Sequence, residues 1–152
     1  MTPDKILKRV VLDRLDWVDR MISEIQSLPL QDRDAFLADS RNVWTAESCL
    51  RRTLEALLDL GRHILAKGFA TGVTTYKEIA KELEMHQVMT METAVLLKIM
   101  AGYRNRMVHF YYEITPDELY EICSTQLNDL IQIRQAYTRW LRANASYLDD
   151  QL

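Results

Sequence analysis

Residues 103–112 read Tyr-Arg-Asn-Arg-Met-Val-His-Phe-Tyr-Tyr and gather the side chains of this chain best suited to chemistry. Arg104 offers a planar fork of donors matched to phosphoryl oxygens. His109 is one of 3 histidines, the residue type best suited to giving or taking a proton in catalysis. Asn105 precedes His109 by one helical turn, where its amide can hold an imidazole or a sugar hydroxyl. Together these residue types suit phosphoryl chemistry run without a metal ion. Taken singly, Arg and His near the end of a helix are most often only solvated and matched to the helix dipole.

A helix has to present this set. At 100° per residue, Leu96, Met100, Tyr103, Met107 and Phe110 share one apolar stripe, predicted to face the core. Arg104, Asn105, Val108, His109 and Tyr112 then fall on the opposite arc, with Tyr111 at its edge. The motif is therefore predicted to point away from its own subunit, with Val108 covered by a second copy. Arg104 and His109 diverge by about 140° on an ideal helix, and one imidazole does not easily act as both acid and base. A two-fold contact through Val108 would place two Arg–His pairs side by side.

Hydrophobic periodicity supplies the supporting elements. Thr2 can cap a first helix with Pro3 at its first position, and Leu7, Val11, Leu15, Val18, Ile22 and Ile25 form its stripe until Pro29. A short helix is read over Asp32 to Asp39. A long one runs from Arg41 to Lys67 through Val43, Leu50, Leu54, Leu57, Ile64 and Leu65, with Gly61 allowing close packing and Gly68 expected at C′. Thr75 and Glu78 make a capping box for a helix ending near Leu83, and Thr90 caps the motif helix. Thr115-Pro116-Asp117-Glu118 opens a last helix carrying Leu119, Cys123, Leu127, Leu130, Tyr137 and Leu141 to about Asn144. The pattern predicts an all-α protein, an antiparallel four-helix bundle with short additional helices, as one domain over residues 1–152.

Composition sets the bounds. Hydrophobic residues are 48% and charged residues 27% of 152 positions, values of an ordinary globular chain rather than a disordered one. No apolar run approaches the ~20 residues of a membrane span. The N-terminus lacks the apolar core of a signal peptide, so a cytoplasmic location without membrane attachment is expected. Cys49 and Cys123 fit buried free thiols better than a disulfide. His63 and His86 sit at no metal-ligand spacing, and neither phosphate-cradling glycine loops nor the paired aspartates of a nucleotidyltransferase are present. No metal and no cofactor is expected. Asp13, Asp16, Asp19 and Arg20 read as a solvated face. A net charge of −3 argues against sequence-blind duplex binding, yet residues 93–112 hold Lys98, Arg104 and Arg106 and no carboxylate.

Arg104 to Tyr111 resembles the R-x4-6-H-x-Y pattern of the HEPN superfamily, and Ala101 to His109 is similar to toxins of the HepT type. Leu58-Asp59-Leu60-Gly61-Arg62-His63-Ile64 and Tyr76-Lys77-Glu78 resemble further helices of that family, so the likeness covers about residues 43 to 140. It implies a HEPN-like bundle, a two-fold homodimer, and a toxin paired with an MntA-like nucleotidyltransferase antitoxin. The activity implied is endoribonuclease cleavage of an RNA substrate, with Arg104 and His109 as catalytic pair and Asn105 and Tyr111 in support. Attack of a 2′-hydroxyl on the adjacent phosphorus needs only an acid, a base and a cation, which fits metal-independent cleavage. The resemblance further implies silencing by AMPylation of Tyr111, with Tyr112 its neighbouring alternative. The competing expectation is a non-catalytic accessory or nucleotide-binding module that positions a nucleotidyltransferase.

Overall fold

The computed structural model describes residues 4–109 and 113–150. The seven α-helices there are α1 (Lys8–Gln26), α2 (Arg33–Ala38), α3 (Ser40–Phe69), α4 (Tyr76–Met85), α5 (Met91–Val108), α6 (Pro116–Thr125) and α7 (Leu127–Ala143). No β-strand occurs among the described residues, in line with the all-α reading. The 30-residue α3 is the central element, and α1, α4, α5 and α6 all pack on it. Leu50, Leu54, Leu57, Leu60, Ile64 and Leu65 are fully buried along it.

Most starts follow their caps. Thr75, Thr90 and Thr115 each accept a backbone N–H three residues on, from Glu78, Thr93 and Glu118. At four places the elements depart from the expected boundaries. The predicted start at Thr2-Pro3 lies outside the described residues, and α1 begins only at Lys8. Before it the chain is extended, because Ile6 pairs with Leu148 and is wholly buried. Gly68 lies inside α3, and Ala70 takes the left-handed cap position with φ 51°. A Cβ on Gly68 would come within 3.2 Å of Ile6 and 3.4 Å of Tyr147, so this glycine admits the paired termini instead. The expected last helix is broken at Gln126. Just before the break, the Thr125 and Ser124 hydroxyls bond the carbonyl of Glu121 at 2.5 and 3.4 Å and compete with the helix ladder. Finally, α4 runs two residues past Leu83, to Met85.

Gly61 is the tightest helix contact. Its added Cβ would lie 2.6 Å from the Tyr137 hydroxyl, 2.8 Å from Ile79 and 2.9 Å from Leu83. Tyr137 is fully buried and donates to the carbonyl of Leu57 at 2.8 Å, so it is not free to retreat. Cys49 and Cys123 are both buried and unbonded. Burial pushes the Cys123 thiol up to about 12, which keeps it protonated and unreactive. Gly61→Ala should lower stability by about 1–2 kcal/mol: three neighbours under 3.0 Å put the overpacking cost at about 2–3 kcal/mol, against about 1 kcal/mol of gained helix propensity. Denaturant unfolding measures this, and a neutral or stabilising result would show that α4 and α7 can slide away from α3.

Candidate functional site

Helix α5 meets the protein through Ala94, Leu97, Met100 and Ala101, which are its buried residues. Leu96, Tyr103 and Met107 of the predicted stripe are only half-buried, and Phe110 lies outside the described residues. The core-facing line is thus rotated by about one residue from the expected one. Arg104 continues that line at i+7 from Leu97, which corrects its predicted place on the outward arc. It turns into its own subunit.

Its guanidinium is held between two other helices. Nε lies 3.5 Å from Oε1 of Glu55 on α3, an ion pair whose alignment makes no hydrogen bond. Its Cζ stands 4.5 Å from the ring centroid of Tyr76 on α4. Arg62 takes the same ring at 5.0 Å, so Tyr76 is engaged by two cations. Asp59, 3.6 Å from Arg62, has its carboxyl raised above the ordinary range, chiefly by burial. These carboxylates lie far from the motif in sequence, and they offset the local basic character read from residues 93–112.

His109 follows the last helical residue. Its backbone is extended, with φ −104° and ψ 114°, so the ideal helical wheel does not apply to it. It is exposed, and among the described residues no side chain holds its ring. The other histidines are occupied. His63 Nε2 accepts the Leu7 N–H at 3.0 Å, and burial lowers its pKa, so it stays neutral to support that bond. His86 stacks on Phe69 at 4.4 Å and lies 3.4 Å from the Thr71 hydroxyl. His109 is the one histidine presented to an outside molecule.

Two clefts meet at His109. One is lined by Lys77, Ile99, Gly102, Tyr103, Asn105, Arg106 and His109, and the other contains Glu47, Val108, Glu113 and Ile114. Arg104 lines neither. Asn105 and His109 line the same cleft, while Arg104 turns toward Glu55 and Tyr76. Val108 is 45% exposed but sits beside Glu47, off the Asn105 face. The outward apolar line of α5 is instead Met91, Val95 and Ile99, exposed by 64%, 52% and 45%. Gly102 continues it, with nothing within 4 Å of where a Cβ would stand.

Arg106 fastens the end of α5 to the start of α6. It donates to both oxygens of Glu118 at 2.6 and 2.7 Å. That bidentate bond holds the Glu118 carboxyl below its ordinary range. The Glu118 carboxylate is thus given to Arg106, while its backbone N–H donates to the Thr115 cap. Tyr103 adds a hydrogen bond to Gln126 at 3.2 Å. Tyr111 and Tyr112, the candidate modification positions, lie outside the described residues. Glu55 was not singled out by the sequence, and Glu118 only as part of a helix start; neither signals an arginine partner until folding brings one to it. Tyr76-Lys77 had a signal, as part of the quoted Tyr76-Lys77-Glu78.

Known proteins match this chain over most of its length. Across 139 residues it is 27% identical to a tRNA nuclease HepT of Aphanizomenon flos-aquae, covering 91% of this chain and 90% of that protein. A tri-AMPylated Shewanella oneidensis HEPN toxin, solved in complex with an MNT antitoxin, has a TM-score of 0.77 at 23% identity over 86% of this chain and 97% of its own. YutE from Bacillus subtilis, a cytosolic protein of unknown function, has a TM-score of 0.79 at 16% identity over 95% of this chain and 98% of its own. These two establish the fold as the HEPN-type bundle. The family model of the HepT-like ribonucleases matches residues 18–137, and the chain belongs to that family.

Proposed function

We propose that this protein is the toxin of a toxin–antitoxin pair and a metal-independent endoribonuclease acting through Arg104 and His109. The observation that carries the reading is His109 itself, exposed and without a side-chain partner among the described residues, at the junction of two clefts and five residues after Arg104. Family membership supports nuclease activity, and the toxin–antitoxin assemblies of like fold support the toxin role. Among the described residues no group of three or more His, Cys, Asp or Glu could hold a metal ion, and no helix there is long and apolar enough to cross a membrane.

The chemistry is proton transfer around phosphorus. A base takes the proton of the ribose 2′-hydroxyl, whose oxygen attacks the adjacent phosphorus. The bond to the 5′-oxygen breaks, an acid protonates that leaving oxygen, and a 2′,3′-cyclic phosphate remains. Arginine donors stabilise the extra negative charge of the phosphorane. One imidazole serves one of the two proton transfers, and a second copy supplies the other. The outward line Met91, Val95, Ile99 and Gly102 is where we place that copy. Asn105 is placed to orient the imidazole or the ribose.

Purified protein should cut RNA in EDTA and leave 2′,3′-cyclic ends. Arg104→Ala and His109→Ala should each lower the rate by at least about 10²-fold, the scale of a lost acid–base or charge-stabilising group. No cleavage by wild type, with both variants as toxic as wild type, would favour the accessory-module reading. Sedimentation should give a dimer for wild type and a monomer for Ile99→Glu, with cleavage lost in the monomer. A wild type that is monomeric at micromolar concentration yet cuts RNA would end the composite-site idea.

The partner we propose is a nucleotidyltransferase antitoxin that transfers AMP to Tyr111. An added phosphate and adenine beside the basic end of α5 would occupy the path of the RNA. Peptide mass spectrometry after co-expression should find AMP on Tyr111, with both modification and neutralisation lost in Tyr111→Phe. Modification of Tyr112 alone would move the site by one residue, and neutralisation with no mass change would mean simple occlusion.

A further inference from the structure

His109 is flanked by two clefts of opposite electrostatic character, which bears on the direction an RNA strand takes. On one side the lining includes the carboxylates of Glu47 and Glu113. On the other it includes Lys77, Asn105, and Ile99 and Gly102, where the proposed second copy adjoins the cleft, with no carboxylate among the described lining residues. Arg106 lines both and is bonded to Glu118, so it does not distinguish them. A polyanion is repelled from the first and drawn to the second. The second cleft, of about 410 Å³, is within the size range of ligand-binding clefts.

Lys77 stands at a capped helix start. It is the second residue of α4, exposed, and no carboxylate among the described residues pairs with its ammonium group. Thr75 caps the helix by accepting the Glu78 N–H at 3.3 Å. The Glu78 carboxylate is occupied in turn by the Thr74 N–H at 3.2 Å and its hydroxyl at 3.3 Å. One residue before Lys77, the Tyr76 ring lies under the guanidinium groups of Arg104 and Arg62. The start of α4 thus touches both halves of the candidate site, with Tyr76 on Arg104 and Lys77 beside Asn105 and His109.

Resting on the ribonuclease reading of His109, we propose that the RNA strand leaves the scissile position along the α4 side of α5, and that Lys77 contacts a phosphate next to the scissile one. Lys77 is then a substrate-binding residue and takes no part in proton transfer. Its loss weakens RNA binding without slowing the chemical step.

The test uses full-length protein in two backgrounds. In cleavage-dead His109→Ala, fluorescein-labelled single-stranded RNA is titrated by anisotropy at several salt concentrations. Adding Lys77→Gln should weaken binding several-fold and flatten the slope of log affinity against log salt by about 0.7, one phosphate contact to a single strand. Lys77→Glu should weaken it further, while Glu47→Gln, in the other cleft, should not weaken it. In the active background Lys77→Gln should raise KM and leave kcat at saturating RNA unchanged. If wild type cuts RNA while Lys77→Gln and Lys77→Glu match it in affinity, salt slope and KM, the strand path is wrong and the ribonuclease reading stands. If wild type neither binds nor cuts RNA, both fall.

Discussion

Holding a guanidinium among three helices is a constraint that α3, α4 and α5 must meet together. Arginine stays charged at any ordinary pH, so its partial burial has to be matched by fixed partners rather than by loss of a proton. Glu55 supplies opposite charge from α3, and the Tyr76 ring face supplies a second attraction from α4. Those contacts work only if α5 lies close to α3, which Ala94 and Ala101 permit by adding little bulk to the buried face. Moving α5 would therefore disturb Arg104 and, one residue from its stacking partner, Lys77. Glu55 both steadies Arg104 and competes with any phosphate for it. Such a contact suits a side chain that must be ordered before substrate arrives.

At the end of α5 the problem is different. Helix ends leave carbonyls and side chains without regular partners, and here the chain also leaves the helix at His109. The Arg106–Glu118 pair ties this end to α6, and Tyr103 reaches Gln126 at the α6–α7 break. These bonds spare His109 a structural task. His109 is exposed with no side-chain partner among the described residues, whereas the His63 ring nitrogen is committed to the Leu7 N–H.

The helices and most of their starts were legible in the sequence because capping residues and apolar periodicity are local. Thr90 and Thr115-Pro116 bracket the motif where they were expected to. The rotation of α5 was not legible, for a particular reason. Leu96, Tyr103 and Met107 carry strong hydrophobic signal but end half-buried, while the inward positions include small Ala94 and Ala101. Tight packing selects small residues on the buried face of α5, so apolar bulk alone points a little to one side. That shift moved Arg104 from the outside to the inside. The extended segment before Lys8 was equally hidden, because Ile6 acquires its partner at Leu148, at the far end of the chain.

Placing Arg104 inward strengthens the case for two copies on different grounds from the helical wheel. Within one chain Arg104 reaches toward α3 and α4, while His109 opens to clefts that Arg104 does not line. Helix α5 is also apolar on the side its own subunit leaves uncovered, at Met91, Val95 and Ile99. A helix with apolar residues on both faces is stable in water only when both are covered. Val108 lies off that line, so the proposed two-fold contact is placed nearer Ile99 and Gly102. Gly102 has no side chain to hold two such helices apart, and Asn105 and His109 follow it along the same edge. Covering this face would thus bring two copies of the His109 edge together, supplying separate groups for the two proton transfers that one imidazole does not easily combine.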